Sequence, residues 1–290
     1  MKFNIAYFGP EHLFHLRRDF ILAIKFGLEE LGHQVFLSGK SVETQCFNLL
    51  IGAYFLPADA MQKIATSGVR HAHINTEVIA NDMLNFNPKK TDFIGAYLPA
   101  MRAGSFTWDV LMTNMPEHHR YENNAFFLRW GWCEKIEEIS QNFSKDLDFY
   151  FFGMMTPRRV QIVNSLAQRG FRGIADGFCP YFLRNDRIAR AKVNLNLIQD
   201  EKYTHVNNFR LCYLANNRSA IISEPEQDPA GYLSMTRIAA VDSLAEELAD
   251  LVGAQNWKRE GERAYETLRK TPMKEVLGEL LDISNLGERA

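Results

Sequence analysis

The sequence predicts an α/β protein built as two Rossmann-like domains facing each other across a cleft. Three observations carry this reading. Short apolar runs alternate with stretches of helical period, as βαβ units require. The alternation starts afresh near residue 147 after an irregular middle. Each half opens on an apolar strand that stops at a glycine, FNIAYFG at 3–9 and FYFFG at 149–153.

The first half reads in order. FNIAYFG closes on Gly9-Pro10 and is a buried strand. Ile21, Ile24, Leu28 and Leu31 recur at helical spacing, with Gly32 as the stop. HQVFLSG and FNLLIGAYF (47–55) are the second and third strands. PADAMQKIATSG starts a helix with proline and ends it with glycine, and VRHAHINTE is the fourth strand. DMLNFNPKKTDF is turn-rich and reads as a loop, while WDVLMTN (108–114) and AFFLRWGW (125–132) read as strands. CEKIEEISQNFSKDLD is the expected hinge. The domains are therefore drawn as 1–145 and 146–290, with the last helices free to pack back on the first.

In the second half FYFFG is a strand. RVQIVNSLAQRG is a helix with Val160, Val163 and Leu166 on one face. ARAKVNLNLI, NNFRLCYLANN and SAIISE follow as strand, helix and strand. VDSLAEELADLVG is an amphipathic helix, and two more helices, at 256–269 and 272–282, complete the chain.

Composition narrows the function classes. A net charge of −2 provides no global attraction to nucleic acid or anionic lipid. Four widely spaced cysteines without a CxxC read as reduced thiols. The opening MKFNIAYFGPEH resembles a first strand more than a signal peptide. No apolar run reaches the ~18 residues of a membrane helix, so the expected location is cytoplasmic.

Open α/β sheets bind ligands beyond their C-terminal strand edges, where helix N-termini present unpaired N–H groups. Gly153 lets the backbone approach a ligand. Thr156, Arg158 and Arg159 then open the next helix, a combination that suits a diphosphate. Taken alone, the segment fits an ordinary strand–helix junction with solvated arginines better. Asn194 and Asn196 share one face of a buried strand and need partners, since an unpaired buried amide costs about 1–3 kcal/mol. Arg210, near a helix N-terminus, opposes the macrodipole; a bound anion, Glu201 or Glu224 would relieve that conflict. Ser223 and Glu224 arrive at a strand end. Together these features indicate a nucleotide or nucleotide-sugar site.

DFYFFGMMTPRRVQIVNSLAQRGF, RNDRIARAKVNLNL and VNNFRLCYLANNRSAIISE resemble the C-terminal half of GT-B glycosyltransferases, most of all small bacterial and phage-type enzymes with a glycosyltransferase family 1 domain. The matching residues are Gly153, Arg158 and Arg159; Arg184 and, one position late, Asp186; Ala191, Lys192, Leu195 and Asn196; then Arg210, Leu214, Asn216, Ser223 and Glu224. HINTE (Asn75, Glu77) and LRWGW resemble elements of the family's first half. Leu197 and Ile198 stand where the family has a histidine, and HVNN replaces a glutamate ahead of Arg210.

The resemblance implies a glycosyltransferase. A nucleotide-diphosphate sugar would be its donor, with no metal and no cofactor beyond that co-substrate. The C-terminal half would hold the donor through Gly153, Thr156, Arg158, Arg159, Asn196, Arg210, Ser223 and Glu224. The acceptor (a glycan, a small molecule or a modified nucleic-acid base) would sit on the N-terminal half. An inverting enzyme needs a general base there, for which Glu77, Glu11 and His12 are the candidates. The HAH at 71–73 sets two histidines on one strand face without a full zinc ligand set. Trp130 and Trp132 are either an acceptor platform or core aromatics. Two alternatives stand beside this reading. One is a two-lobed nucleotide- or sugar-binding protein without transfer chemistry, and the other a phage-type transferase of modified DNA bases.

Overall fold

The structure is a computed structural model describing residues 1–87, 91–200 and 202–286; Glu201 lies outside it. The chain forms two compact units, residues 1–130 with 273–290, and residues 131–272.

The first unit runs β1 (Lys2–Tyr7), α1 (Glu11–Glu30), β2 (Gln34–Gly39), β3 (Phe47–Ile51), α2 (Ala58–Thr66), β4 (His71–Asn75), the hairpin β5 (Ile79–Ala80) and β6 (Met83–Leu84), α3 (Leu98–Ala103), β7 (Thr107–Asp109), α4 (Met115–Arg120) and β8 (Ala125–Phe127). Its sheet has the order β2-β1-β3-β4-β7-β8, every pairing parallel. β3 and β4 are buried along their whole length, as strands covered on both faces must be. The expected 47–55 strand stops at Ile51 because Gly52 turns left-handed (φ 72°) into one turn of 3-10 helix. The expected 108–114 strand stops at Asp109, whose carboxylate takes the Leu111 N–H (2.7 Å) and turns the chain out of the ladder. AFFLRWGW keeps only Ala125–Phe127 as strand.

The second unit runs β9 (Leu147–Phe152), α5 (Pro157–Gln168), β10 (Gly173–Asp176), α6 (Tyr181–Arg190), β11 (Ala191–Asn196), α7 (Asn208–Asn216), β12 (Ala220–Ser223), β13 (Arg237–Ile238), α8 (Leu244–Gly253) and α9 (Trp257–Arg269). Its parallel sheet has the order β10-β9-β11-β12-β13. Phe149, Phe151, Val193, Leu195 and Ile222 pack against Leu166 of α5 and Leu244, Leu248 and Leu251 of α8. The inward face of α5 is Arg159, Ile162 and Leu166, while Val160 is exposed. This phase differs from the expected one by a residue, and it turns Arg159 inward.

The stretch expected to be a hinge belongs to the second unit. Asn216 holds both the N–H and the C=O of Cys133 (2.9 and 3.0 Å), and Asn217 accepts from Glu138 and Ile139 and donates to Ile136. The division thus falls at Trp130/Gly131, not at 145/146, and the chain returns at Met273. α10 (Met273–Ile283) then lies on α1, with Leu277 and Met273 against Gly27. A Cβ on Gly27 would fall 2.6 Å from Leu277 Cδ1, so the close approach requires glycine. At the start of β9 two aspartates are ion-paired: Asp146 takes Arg190 (2.7 Å) and Asp148 takes Lys192 (2.7 Å). Trp130 packs on Phe20 and is 2% exposed, and Trp132 donates to Glu137; Trp130 is thus a core ring.

Candidate active site

The parallel register of the second unit brings Phe152 of β9, Asp176 of β10, Asn196 of β11 and Ser223 of β12 to one sheet edge. α5 and α7 begin just beyond it. Thr156 caps α5 by accepting the Arg159 N–H, and its hydroxyl donates to the Gln199 carbonyl (3.0 Å). Asn207 caps α7 by accepting the Arg210 N–H (3.2 Å).

Two guanidinium groups are buried at this edge. Arg159 donates to the carbonyls of Leu197 (2.5 and 3.2 Å) and Met154 (2.8 Å). Arg210 donates to the Phe152 carbonyl (2.8 and 3.2 Å) and to Asn196 Oδ1 (2.5 Å). Neither makes a carboxylate contact among the described residues. Burial lowers Arg159 to about 10, and burial together with the neighbouring Arg159 charge lowers Arg210 to about 9. Gly153 lies against both, at φ 142°; a Cβ there would stand 2.6 Å from Arg210 Nη2. Glycine suits this position because its φ is one that other residues rarely adopt, and the Arg210 guanidinium fills the space where a Cβ would stand. Positive charge gathered at two helix N-termini is the kind of surface that suits an anion.

The other expected donor residues join the same cluster. Asn196 bridges Arg210, Ser223 Oγ (2.8 Å) and Glu226 Oε2 (2.5 Å). Asn194, on the same strand face, is 1% exposed, and its amide has no hydrogen-bond partner among the described residues. Glu224 is not open to a ribose. Both its oxygens take Arg158, and Oε2 also takes the Ile198 N–H (2.7 Å). Arg158 is therefore paired with Glu224, while Arg159 and Arg210 have no carboxylate in direct contact among the described residues and feel Glu224 and Glu226 only through space. Arg184 stacks over Tyr213 (4.3 Å), and Asp186 pairs loosely with Arg190 (3.5 Å).

Glu226 escaped the sequence reading. Burial raises it to about 7 despite the Asn196 amide and the Arg210 charge. It is the carboxylate that acts on Arg210 through space. Its only sequence signal was a position three residues past Ser223, outside any matched motif.

In the first unit Glu77 follows β4 and is 6% exposed. It accepts from Tyr54 (2.6 Å), Arg17 (2.9 Å), Thr76 (3.1 Å) and Asn85. Four side chains therefore hold its oxygens. Glu11 and His12 occupy the first turn of α1 and are exposed; neither touches Glu77 in any recorded contact. Beside this cluster Asp109 accepts from Asn75 (2.7 Å), Asn114 and His118 Nε2 (2.7 Å), and Asn123 donates to His118 Nδ1 (2.9 Å). A carboxylate only accepts, so the Asp109 contact places a proton on His118 Nε2. His71 and His73 stack edge to face (5.6 Å) without a third ligand; among the described residues no group of His, Cys, Asp or Glu is arranged to hold a metal ion.

No protein-family model and no curated protein matches the chain. Solved structures do. An alpha-glucosyltransferase in complex with UDP and a 13-mer DNA containing a central A:G mismatch superposes with a TM-score of 0.64 at 9% identity, over 98% of this chain and 100% of that one. The T4 phage BGT in complex with UDP-glucose gives 0.63 at 13% identity, over 97% and 99%. AviGT4, a glycosyltransferase involved in avilamycin A biosynthesis, gives 0.58 at 11% identity, over 97% of each.

The fold is GT-B. At these identities the likeness establishes the architecture. In the GT-B frame the arginine edge belongs to the C-terminal Rossmann-like unit and the Glu77 cluster to the N-terminal one. Among the described residues no helix is long and apolar enough to cross a membrane.

Proposed function

We propose that the protein is a glycosyltransferase that takes a sugar from a nucleotide-diphosphate sugar, with a second unit of the glycosyltransferase family 1 type. The observation that carries this reading is the buried pair Arg159 and Arg210, uncompensated by carboxylate contacts and closed over Gly153. A diphosphate would bridge the two cations and return the stability that their burial costs. In transfer, the bond from the sugar C1 to the diphosphate oxygen breaks and the acceptor oxygen bonds to C1. The charge left on the diphosphate falls to the two guanidinium groups at the starts of α5 and α7. No metal is required where such donors are already fixed. Thr156, Asn196 and Ser223 line this edge, and Arg158 with Glu224 braces the loop after β11 through Ile198.

We assign Glu77 to positioning, since its oxygens are held by four side chains. Glu11 and His12 are the acceptor-activating candidates that have solvent access. The complexes of similar structures with UDP, UDP-glucose and DNA favour UDP-glucose as donor and a DNA base as one acceptor class. The test is calorimetry and turnover with a panel of nucleotide-diphosphate sugars. The expected result is binding of one donor, with release of nucleoside diphosphate. Arg210→Ala should weaken that binding by about 100-fold, the worth of two charge-assisted hydrogen bonds. Equal affinity in the variant would refute the site. Binding without release, whatever the acceptor, would make the chain a binding protein.

A further inference from the structure

The opposite, N-terminal edge of the second unit's sheet carries its own hollow, of about 370 Å³. Lys145 precedes β9, Lys192 stands at the start of β11, and Trp257 and Lys258 open α9. The ends of a six-residue strand are separated by roughly 17–20 Å, so this is not an extension of the arginine edge. We propose that the hollow is a second ligand site, for an organic phosphate ester bearing a flat apolar ring.

The ring is argued from Trp257 and Phe143, two aromatics lining one concavity, of which Phe143 is 53% exposed. A large aromatic left open in a hollow of ligand size is a stacking surface in search of a partner. The phosphate is argued from charge. The Lys145 and Lys258 ammonium groups stand 5.5 and 5.3 Å from the centroid of Trp257, and neither has an ion-pair partner among the described residues. Lys192 is paired to Asp148 (2.7 Å) and adds little net charge. No carboxylate lines the hollow. Burial pushes Lys145 down to about 8, a cost that an anion between the two ammonium groups would remove. With both ammonium groups over Trp257 and Phe143 open beside them, a ring in the hollow brings its phosphate within reach of Lys145 and Lys258.

The chain has four tryptophans, so their indole N–H signals in a ¹⁵N NMR spectrum can be assigned by single substitution, Trp257→Phe among them. Phenyl phosphate, inorganic phosphate and phenol are titrated separately into the full chain. Phenyl phosphate should shift the Trp257 signal saturably, and about tenfold more tightly than either part alone. Lys145→Ala and Lys258→Ala together should abolish the shift while the other three indole signals confirm the fold. The proposal fails if the Trp257 signal does not move, or if it moves as much in the double variant as in the parent. It also fails if phenol matches phenyl phosphate, which would mark an apolar dent only.

Discussion

Glu226 ties the donor edge to pH. Its carboxyl is raised to about 7 by burial, beside an Arg210 that is itself lowered to about 9. A nucleotide-diphosphate sugar keeps its charge through neutral pH, so a pH dependence of its affinity reports on the protein. Above pH 7 the ionised Glu226 competes with the diphosphate for Arg210; below it, the proton removes that competition. Donor affinity should therefore fall as pH rises from 6 to 8, and Glu226→Gln should flatten the profile, as read by calorimetry at fixed ionic strength. A profile unchanged by the substitution would exclude Glu226 as the source. At this scale the sequence was half legible. Arg159, Arg210 and Gly153 could be assigned to a strand end and two helix starts, but the inward turn of Arg159 was missed by one residue of helix phase. That Arg158 and Glu224, 66 residues apart, pair with each other could not be read, because pairing across a sheet edge leaves no local pattern.

Among the elements, β4 shows what a fully buried strand can carry. His73 is 2% exposed and held at about 3, by burial first and by His71 second. The unfolded chain accepts that proton near the ordinary value of about 6.5. The folded chain refuses it down to about 3, so this contribution to stability is full above ~6.5 and lost as pH falls through that window. The loss is about 1.4 kcal/mol per pH unit. His73→Phe should reduce it, measured as the urea midpoint at pH 6.5 and 4.5; an unchanged acid slope would assign it elsewhere. Asn217, at the C-cap of α7, is the second element-scale test. Asn217→Ala leaves the Glu138 and Ile139 N–H groups unpaired and should cost about 1–3 kcal/mol in denaturant unfolding. The long periodic helices and the buried strands were legible from hydrophobic spacing. β10, β13 and α6 were not: they are short, and GFRGIADGFCP offers turn residues where the strand lies.

For the whole molecule, two α/β halves were legible from strand–helix alternation and its restart after the middle, and GT-B from the family resemblance of the second half. The unit boundary was not, because it depends on Asn216 and Asn217 reaching back some 80 residues to hold 133–139. The acceptor belongs to this scale too. A net charge of −2 supplies no overall attraction to DNA, so DNA as acceptor requires a local basic surface. Affinity for a duplex should then fall steeply with salt, with a log–log slope of about −0.9 for each phosphate contacted. A flat salt response would rule out duplex DNA and leave glycans or small molecules.

The return of α10 to α1 has a consequence for how the protein is made. The second unit is an insertion whose residues, 131–272, all leave the ribosome before the helix that covers Gly27. Synthesis at about 5–20 residues per second gives the inserted unit time to close on its own while Leu28 and its neighbours on α1 wait for a cover. The unit begun first is completed last, and in the interval its open apolar face is what a chaperone would find.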